Sequence, residues 1–481
     1  MANRCPNCGG TLRFDIKKQK LVCEYCESAF DTDSIAQMGG AAESQAFGQE
    51  AGQNSANEET AGETIDGKIF TCPNCGGEVF ATDLDAVEYC AYCGTFVTLE
   101  SRLARLQKPS YIVPFTITKE KCLELYGEKL KKAHFLPQDM KVEKAQNTLR
   151  SIYIPFWVYR LHFDRNASLS FKTSESWTRG NTEYTQEYSI QTKPEGSMDG
   201  IFYDASATLD DRISAQVSNF SLDSLQPYNS SLMAGSYADV ADVDKDVYRD
   251  DACTQGTKVL TKEVRSNIPA GSVRSTGALK PLSAQEHLQD CSTTEAKIAM
   301  LPVWFMTRRS GNRLCYAVVN GNTGKMFTEI PADLKKYTFV SFLLSIPLFV
   351  GMECFFTFMP KTLLIITAVM TFLILLRKWS VSRKIKRQDN RTDDKGYQKV
   401  FAGQKQEPKA GGSALSSLPA LLALAVAAGL IYLDQPNDLP YYGGAILCII
   451  GTFISIASMV KAHNLSCSRP IPHFFDRKKG A

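Results

Sequence analysis

Apolar residues gather into four long runs in the last third of the chain, whereas the first hundred residues carry only short alternating stretches. The runs are Phe339–Met352 with its flanks, Thr362–Leu376, Leu415–Leu433 and Tyr441–Val460. A helix rising 1.5 Å per residue needs roughly 20 residues to cross a hydrocarbon core. The last two runs reach that length, and the first two reach it once Tyr337 and Cys354–Met359 are counted with them. The pattern predicts four transmembrane helices in two hairpins, at 337–378 and 414–461, with a shallow hairpin as the alternative for the first pair. Glu353 then falls at the far interface, beside the turn at Pro360-Lys361, where a charge is tolerated.

The middle of the chain, 110–333, reads as a mixed α+β domain. Tyr111–Phe115 is extended, and Lys119–Ala133 carries Cys122, Leu123, Leu125, Tyr126 and Leu130 on one side at helical spacing. Ile152–Tyr159 and the alternation Ala167–Phe171 read as strands, with Pro155 restricted to an edge or a bulge. The end of the domain echoes its start: Leu301-Pro302-Val303-Trp304-Phe305 has the pattern of Ile154-Pro155-Phe156-Trp157-Val158. Asn320–Lys325 follows the strand Leu314–Val319 and signals a hairpin, since Asn-Gly accepts positive φ. It is no phosphate loop: two residues separate its glycines instead of four, and Met326 replaces the magnesium-binding hydroxyl. The polar stretch between these ends reads as a β-rich insertion, with helices near Leu232–Tyr237 and Ala284–Leu288.

Composition adds little until it is divided. The net charge of +3 over 481 residues and the mean hydropathy of -0.18 average unlike parts. The 15 cysteines do divide usefully. Cys5-Pro6-Asn7-Cys8-Gly9-Gly10 is followed, after fourteen residues, by Cys23-Glu24-Tyr25-Cys26. Cys72-Pro73-Asn74-Cys75-Gly76-Gly77 is followed at the same interval by Cys90-Ala91-Tyr92-Cys93, 67 residues on. Paired Cys-x-x-Cys turns on adjacent hairpins make a tetrahedral thiolate cage. Cys5, Cys8, Cys23, Cys26, Cys72, Cys75, Cys90 and Cys93 are therefore the expected ligands of two structural Zn²⁺ ions. Iron in a rubredoxin-like site is the alternative. The ribbons occupy 1–31 and 67–100. The stretch 32–66 between them is Gly/Ala/Gln/Glu/Ser-rich, reads as a flexible linker, and implies that the ribbons move independently.

Charge orients the chain. Lys335 and Lys336 precede the first run; Arg377, Lys378, Arg383, Lys384, Lys386, Arg387 and Arg391 follow the second; Lys461, Arg469, Arg477, Lys478 and Lys479 follow the fourth. The opposite loops hold only Glu353 and Lys361, then Asp434 and Asp438. This asymmetry places both termini, the basic loop 379–413 and the tail 462–481 in the cytoplasm of an inner-membrane protein. The loop's default role is to hold orientation, with attraction to anionic lipid as a by-product. Met1-Ala2-Asn3-Arg4 leads into Cys5 without an apolar leader, which agrees with reduced, metal-binding cysteines.

Chemistry is otherwise sparse. His134, His162, His287, His463 and His473 are dispersed, no nucleophile or dinucleotide motif is present, and the chain reads as a non-enzyme. Arg4, Arg13, Lys17, Lys18 and Lys20 form a basic face on the first ribbon and keep a membrane-tethered nucleic-acid-binding role open; Glu78, Asp83, Asp85 and Glu88 argue against it for the second.

The ordered set of Cys-Pro-Asn-Cys-Gly-Gly ribbons, Ile154–Trp157, Leu301–Trp304, the Asn320–Lys325 turn and terminal spans resembles a bacterial family of zinc-ribbon-containing membrane proteins. Some members carry a TFIIB-type or primosomal-helicase-like label. The resemblance implies a membrane-anchored adaptor in the envelope stress response, with SPFH-, TPM- or phage-shock-type protein partners. This chain departs from the family's ribbon at Glu27-Ser28, where glycine usually follows the fourth cysteine, and a looser turn is expected there.

Overall fold

The computed structural model describes residues 4–35, 64–81, 90–95, 100–140, 142, 148–163, 169–193, 195–267, 280–281, 291–310, 312–355, 360–401, 417–432 and 438–475. The first ribbon folds as expected: β1 (Leu12–Asp15) turns back onto β2 (Lys20–Cys23), and β3 (Ala29–Phe30) pairs with β2. Leu12 and Leu21 face inward at strand periodicity and are fully buried. In the second ribbon β4 (Thr64–Thr71) lies between β5 (Glu78–Ala81) and β6 (Glu100–Gln107), so its strands overrun 67–100 at both ends. The strand expected at Ala86–Tyr89 lies outside the described residues.

The central domain carries β7 (Tyr111–Ile112), β8 (Leu149–Phe163), β9 (Leu169–Arg179), β10 (Thr182–Thr192), β11 (Gly196–Asp204), β12 (Gln226–Pro227), β13 (Tyr237–Asp239), β14 (Lys280–Pro281), β15 (Cys291–Ser310), β16 (Arg313–Asn320) and β17 (Met326–Thr328). β18 (Arg469–Pro470), from the tail, adds to β16. Among the described residues 12 strands form one sheet in the order β12-β7-β15-β8-β13-β5-β4-β6, with β11 on β8 and β16 on β15; β9, β10 and β14 form a separate sheet. The structure is thus a mixture of sheets and helices, as the sequence predicts.

The antiparallel pair β8–β15 is the spine. Its register sets Ile154 opposite Leu301, Pro155 opposite Met300 and Pro302 opposite Tyr153, so the two echoing motifs are neighbours. Pro155 is central, contrary to the edge or bulge expected. Its carbonyl accepts from Ala205 N, on the side away from β15. There the neighbour of β8 changes from β13, at Ile152–Tyr153, to β11, from Phe156 onward. Pro302 does the same on β15, where β7 gives way to β16 and Gly321 N donates to the Pro302 carbonyl. Each missing N–H points into a change of partner, so no ladder bond is lost.

Helix α1 (Lys119–Lys131) is capped by Thr118, which accepts from Lys121 N, and buries Cys122, Tyr126 and Leu130 on the spacing the sequence shows. α2 (Asp211–Val217) and α3 (Arg249–Asn267) belong to the insertion. No α-helix covers Leu232–Tyr237: a 3₁₀ turn at Ser230–Met233 leads into β13, because Tyr237 and Ala238 pair in parallel with Ile152 and Tyr153. The helix expected near Ala284–Leu288 lies outside the described residues.

The apolar runs become α4 (Leu334–Phe355), α5 (Pro360–Asp389), α7 (Leu418–Tyr432) and α8 (Asp438–Ser466); α6 (Lys395–Val400) lies between the hairpins. Among the described residues two helices, Lys361–Asp389 and Tyr442–Ser466, are long and apolar enough to cross a membrane, and Leu418–Tyr432 is apolar but shorter. Four spans were expected; these criteria support two. The segment 379–389, expected as loop, continues α5, because Ile385, Gln388 and Asp389 on one face of it are buried. α7 packs closely on α8: a Cβ on Gly444 would meet Ile431 Cγ1 at 2.6 Å.

Three helix ends meet the domain together. Ala332, before α4, exchanges backbone bonds with the Asn464 amide on α8 at 2.7 and 2.8 Å. Arg313 on β16 donates to Asp389, at the end of α5, at 2.8 Å and also to the Leu465 carbonyl at 3.1 Å.

The Asn320–Lys325 hairpin forms as read, with Val319 opposite Met326. Fully buried Asn320 accepts from Asn322 N and Thr323 N at 2.8 Å and donates to the Val217 carbonyl at 2.7 Å. Asn320→Ala is expected to cost about 2 kcal/mol, the cost of stranding those groups; an unchanged midpoint in chemical unfolding contradicts it.

Candidate metal centres

Each Cys-x-x-Cys turn is a knuckle closed by the same two backbone bonds. Gly9 N donates to Cys5 O and Cys5 N to Gly10 O; Gly76 N donates to Cys72 O and Cys72 N to Gly77 O. The Cys23 and Cys90 knuckles repeat the pattern through Glu27, Ser28, Gly94 and Thr95. The first glycine of Cys-Gly-Gly takes positive φ, +74° at Gly9 and +72° at Gly76. The second is glycine for space: a Cβ on Gly10 would stand 2.4 Å from the Tyr25 ring, and one on Gly77 2.7 Å from the Tyr92 ring. Glu27, at φ +57°, adopts the conformation Gly94 adopts at +63°. The looser turn expected at Glu27-Ser28 is absent; the knuckle is regular and carries roughly 1–2 kcal/mol of left-handed strain.

The eight cysteines fall into two groups of four, all ligand atoms of a group lying within 4.8 Å of one another. Cys5–Cys26 and Cys8–Cys23 sulfurs are 3.5 and 3.4 Å apart, and Cys72–Cys93 and Cys75–Cys90 are 3.8 and 3.7 Å apart. Four sulfurs at about 2.3 Å from a tetrahedral ion stand ~3.8 Å apart, so the second group matches such an ion and the first is slightly tighter. Asn7 bonds Ser28, and Asn74 bonds Thr95, each at 3.0 Å, holding facing knuckles together. Among the other cysteines described, Cys122, Cys253, Cys315 and Cys448 are buried singly, and none joins a cluster.

The two sites differ in surroundings. Cys8 and Cys26 are exposed, whereas Cys72, Cys75, Cys90 and Cys93 are all buried. Tyr25 is 78% exposed and its counterpart Tyr92 only 3%. The second ribbon enters the central sheet through β5, where Phe80 and Val79 pair with Ala238 and Asp239 of β13. The Tyr92 ring packs edge-on against Phe305 and Phe474, its carbonyl accepts from Tyr316 Oη at 2.9 Å, and the Ala91 carbonyl accepts from Thr307 Oγ1. The first ribbon is docked as well: Phe14 N donates to the Ala234 carbonyl at 3.1 Å and Gln19 Nε2 to the Phe115 carbonyl at 2.9 Å. Independent ribbons were expected; these long-range bonds hold both on the domain. Three cations of the first ribbon's basic face are paired, Arg13 with Glu24, Lys17 with Glu120 and Lys20 with Asp31.

The sequence did not mark the tail as part of this site. It returns from α8 across β16, and Phe474 N donates to the Cys75 carbonyl at 2.6 Å. Arg469 lies buried between Asp210, at 2.6 Å, and Glu329, at 3.1 Å. Arg391, just past α5, holds Asp394 at 2.5 Å, donates to the Leu209 carbonyl and stacks on the Tyr397 ring. Burial opposes ionisation of Asp210, but Arg469, Arg391 and Arg212 outweigh it and hold its carboxyl below the usual range. Burial pushes Glu329 upward against the pull of Arg469. The Asp210 contribution is therefore complete at neutral pH and is lost only as pH falls through its depressed pKa. The one signal available was a tail with two prolines and two phenylalanines, Pro470-Ile471-Pro472-His473-Phe474-Phe475.

The chain is similar to "Uncharacterized protein YdjG" of Bacillus subtilis (strain 168), 21% identical over 335 residues, which is 69% of this chain and 91% of that protein. No protein-family model matches it, and no solved structure does.

Two outcomes are expected. A strong chelator removes metal from the chain in two phases, the fast one abolished by Cys8→Ser/Cys26→Ser; a single phase counts against unequal sites. Arg469→Met leaves Asp210 and Glu329 buried without their cation and lowers stability by about 3–5 kcal/mol, read by unfolding in mild detergent; a shift near zero contradicts the junction.

Proposed function

We propose that this chain is an adaptor of the inner membrane that carries two structural zinc ions and recruits protein partners through its exposed first ribbon. The observation that carries the reading is the contrast between two copies of one motif. Burial of the second copy serves the fold, whereas the first holds an exposed aromatic, Tyr25, on a stiff knuckle. Exposed aromatic anchors on rigid supports are typical of binding surfaces. Zinc suits closed four-sulfur sites and is redox-inert; iron is the alternative, and metal analysis separates the two.

Membrane anchoring by all four apolar helices, with both termini cytoplasmic, belongs to the same reading. Large apolar side chains on α4 and α5 face outward, Phe342 and Phe372 among them, as lipid-facing residues would. The meeting of the α4, α5 and α8 ends on one domain supports a shared side for the termini, and the basic residues there favour the cytoplasm. The family resemblance favours SPFH-, TPM- or phage-shock-type partners. Pairing of Arg13, Lys17 and Lys20 with carboxylates disfavours the nucleic-acid alternative.

The test is affinity purification of the full chain from gently solubilised membranes, wild type beside Tyr25→Ala. Two zinc ions per chain in both proteins, and partners lost only from the variant, are expected. If Tyr25→Ala keeps every partner, the first ribbon is not the recruiting surface. If nucleic acid alone co-purifies, the adaptor reading gives way to the tethered nucleic-acid binder.

A further inference from the structure

The domain-proximal third of α5 has two unlike faces. Lys378, Ile385, Gln388 and Asp389 are buried, whereas Arg377, Trp379, Arg383, Lys384, Lys386 and Arg387 are exposed. At 100° per residue the exposed set sweeps the whole side opposite the buried one. No acidic residue precedes Asp389 on the helix, and Asp389 is held by Arg313. Among the described residues no carboxylate is in ion-pair contact with Arg377, Arg383, Lys384, Lys386 or Arg387. Five like charges crowded on one face repel one another and need counter-ions.

The position of this face says what supplies them. Lys378 Nζ bonds Ser417 Oγ at 2.5 Å, and the apolar helix α7 begins at Leu418. The apolar layer therefore ends level with Lys378. From Arg377 to Arg387 the helix climbs about 15 Å, while the head-group layer is roughly 5–8 Å deep. Arg377 and Trp379 stand within that layer, and the higher cations lie within about one Debye length of it. The Arg383 guanidinium lies 3.2 Å from the centroid of the exposed Trp379 ring, a pairing of interfacial indole and cation. Lys335, Lys336 and Lys461, all exposed at the neighbouring helix ends, add to the same collar.

We propose that this face of α5 binds the phosphate head groups of anionic phospholipids in the surrounding bilayer. The inference rests on the membrane reading above. An acidic protein segment is the competing occupant, but the lower half of the face lies at head-group depth, where lipid is already present.

The test exchanges the full chain into mixed micelles with equal phosphatidylcholine and phosphatidylglycerol and measures the lipid retained per chain. Wild type is expected to retain phosphatidylglycerol over phosphatidylcholine by at least about fivefold. Arg377→Gln/Arg383→Gln/Lys384→Gln/Arg387→Gln is expected to bring the ratio near one with its metal content unchanged, and Lys361→Gln, at the far end of α5, to leave it as in wild type. Excess inorganic phosphate should not displace the lipid; displacement would mean that the site reads free phosphate and would overturn the proposal. So would a quadruple variant that keeps the wild-type preference. If wild type retains both lipids equally, lipid selection fails and the anchor stands. If it retains neither, the membrane reading fails and this inference with it.

Discussion

Four sulfurs gathered within 4.8 Å of one another inside an apolar core are the constraint on which the rest of this structure depends. Two thiolates at that spacing repel by about 4 kcal/mol even at an effective dielectric of 20, and burial deepens the cost of each charge. As thiolates such a cluster is favourable around a shared cation, so a metal bound there would couple its own binding to folding of the second ribbon. The consequences spread because the ribbon is no appendage. Through β5 and β13 it extends the sheet built on β8 and β15, and through Tyr92 it packs on Phe305 and Phe474.

The same knuckle ties the long apolar helices to the domain. A short tail leads from the end of α8 to the bond between Phe474 N and the Cys75 carbonyl. Along it Arg469 is fixed by Asp210 and Glu329, and Phe474 meets Phe401, which follows α6. A buried ion pair of this kind adds little net stability over an apolar substitute, but it fixes geometry, because either partner alone is costly. The angle between helices and domain is thus set by directional contacts rather than by a flexible connector.

What could be read from the sequence was what local chemistry determines. The knuckles announce themselves because ligand type, spacing and the two glycines are all short-range requirements. Helix α1 and the Asn320 hairpin follow from spacing and turn chemistry in the same way. The echo of Ile154-Pro155 in Leu301-Pro302 was visible, but not its meaning, since register depends on a partner some 150 residues away. For the same reason Pro155 reads as an edge or bulge residue: sequence shows that a proline lacks its N–H, not that β13 ends where β11 begins. Independence of the ribbons was inferred from the polar stretch between them, which says nothing of β13 pairing with β5. The extension of α5 was masked by its own charges, because a basic run reads as loop until Ile385 and Gln388 are seen to be buried on one side.

The two ribbons show how one motif is put to different ends by a few neighbours. Both carry Cys-x-Tyr-Cys, and in both the tyrosine covers the second glycine of the facing knuckle. Tyr92 is then covered in turn by Phe305 and the tail, while Tyr25 has no such cover and remains 78% exposed. Bulk decides which knuckle tolerates which residue. A Cβ on Gly94 would meet the Thr307 methyl at 3.4 Å, and one on Gly76 would meet the Phe474 backbone at 2.8 Å. Gly9 has open space around it, and Glu27 is accommodated at the position equivalent to Gly94. The first ribbon thus keeps its buried cysteines but leaves its tyrosine open to solvent, and that exposure, rather than the ribbon's basic charge, is what favours it as the proposed recruiting surface.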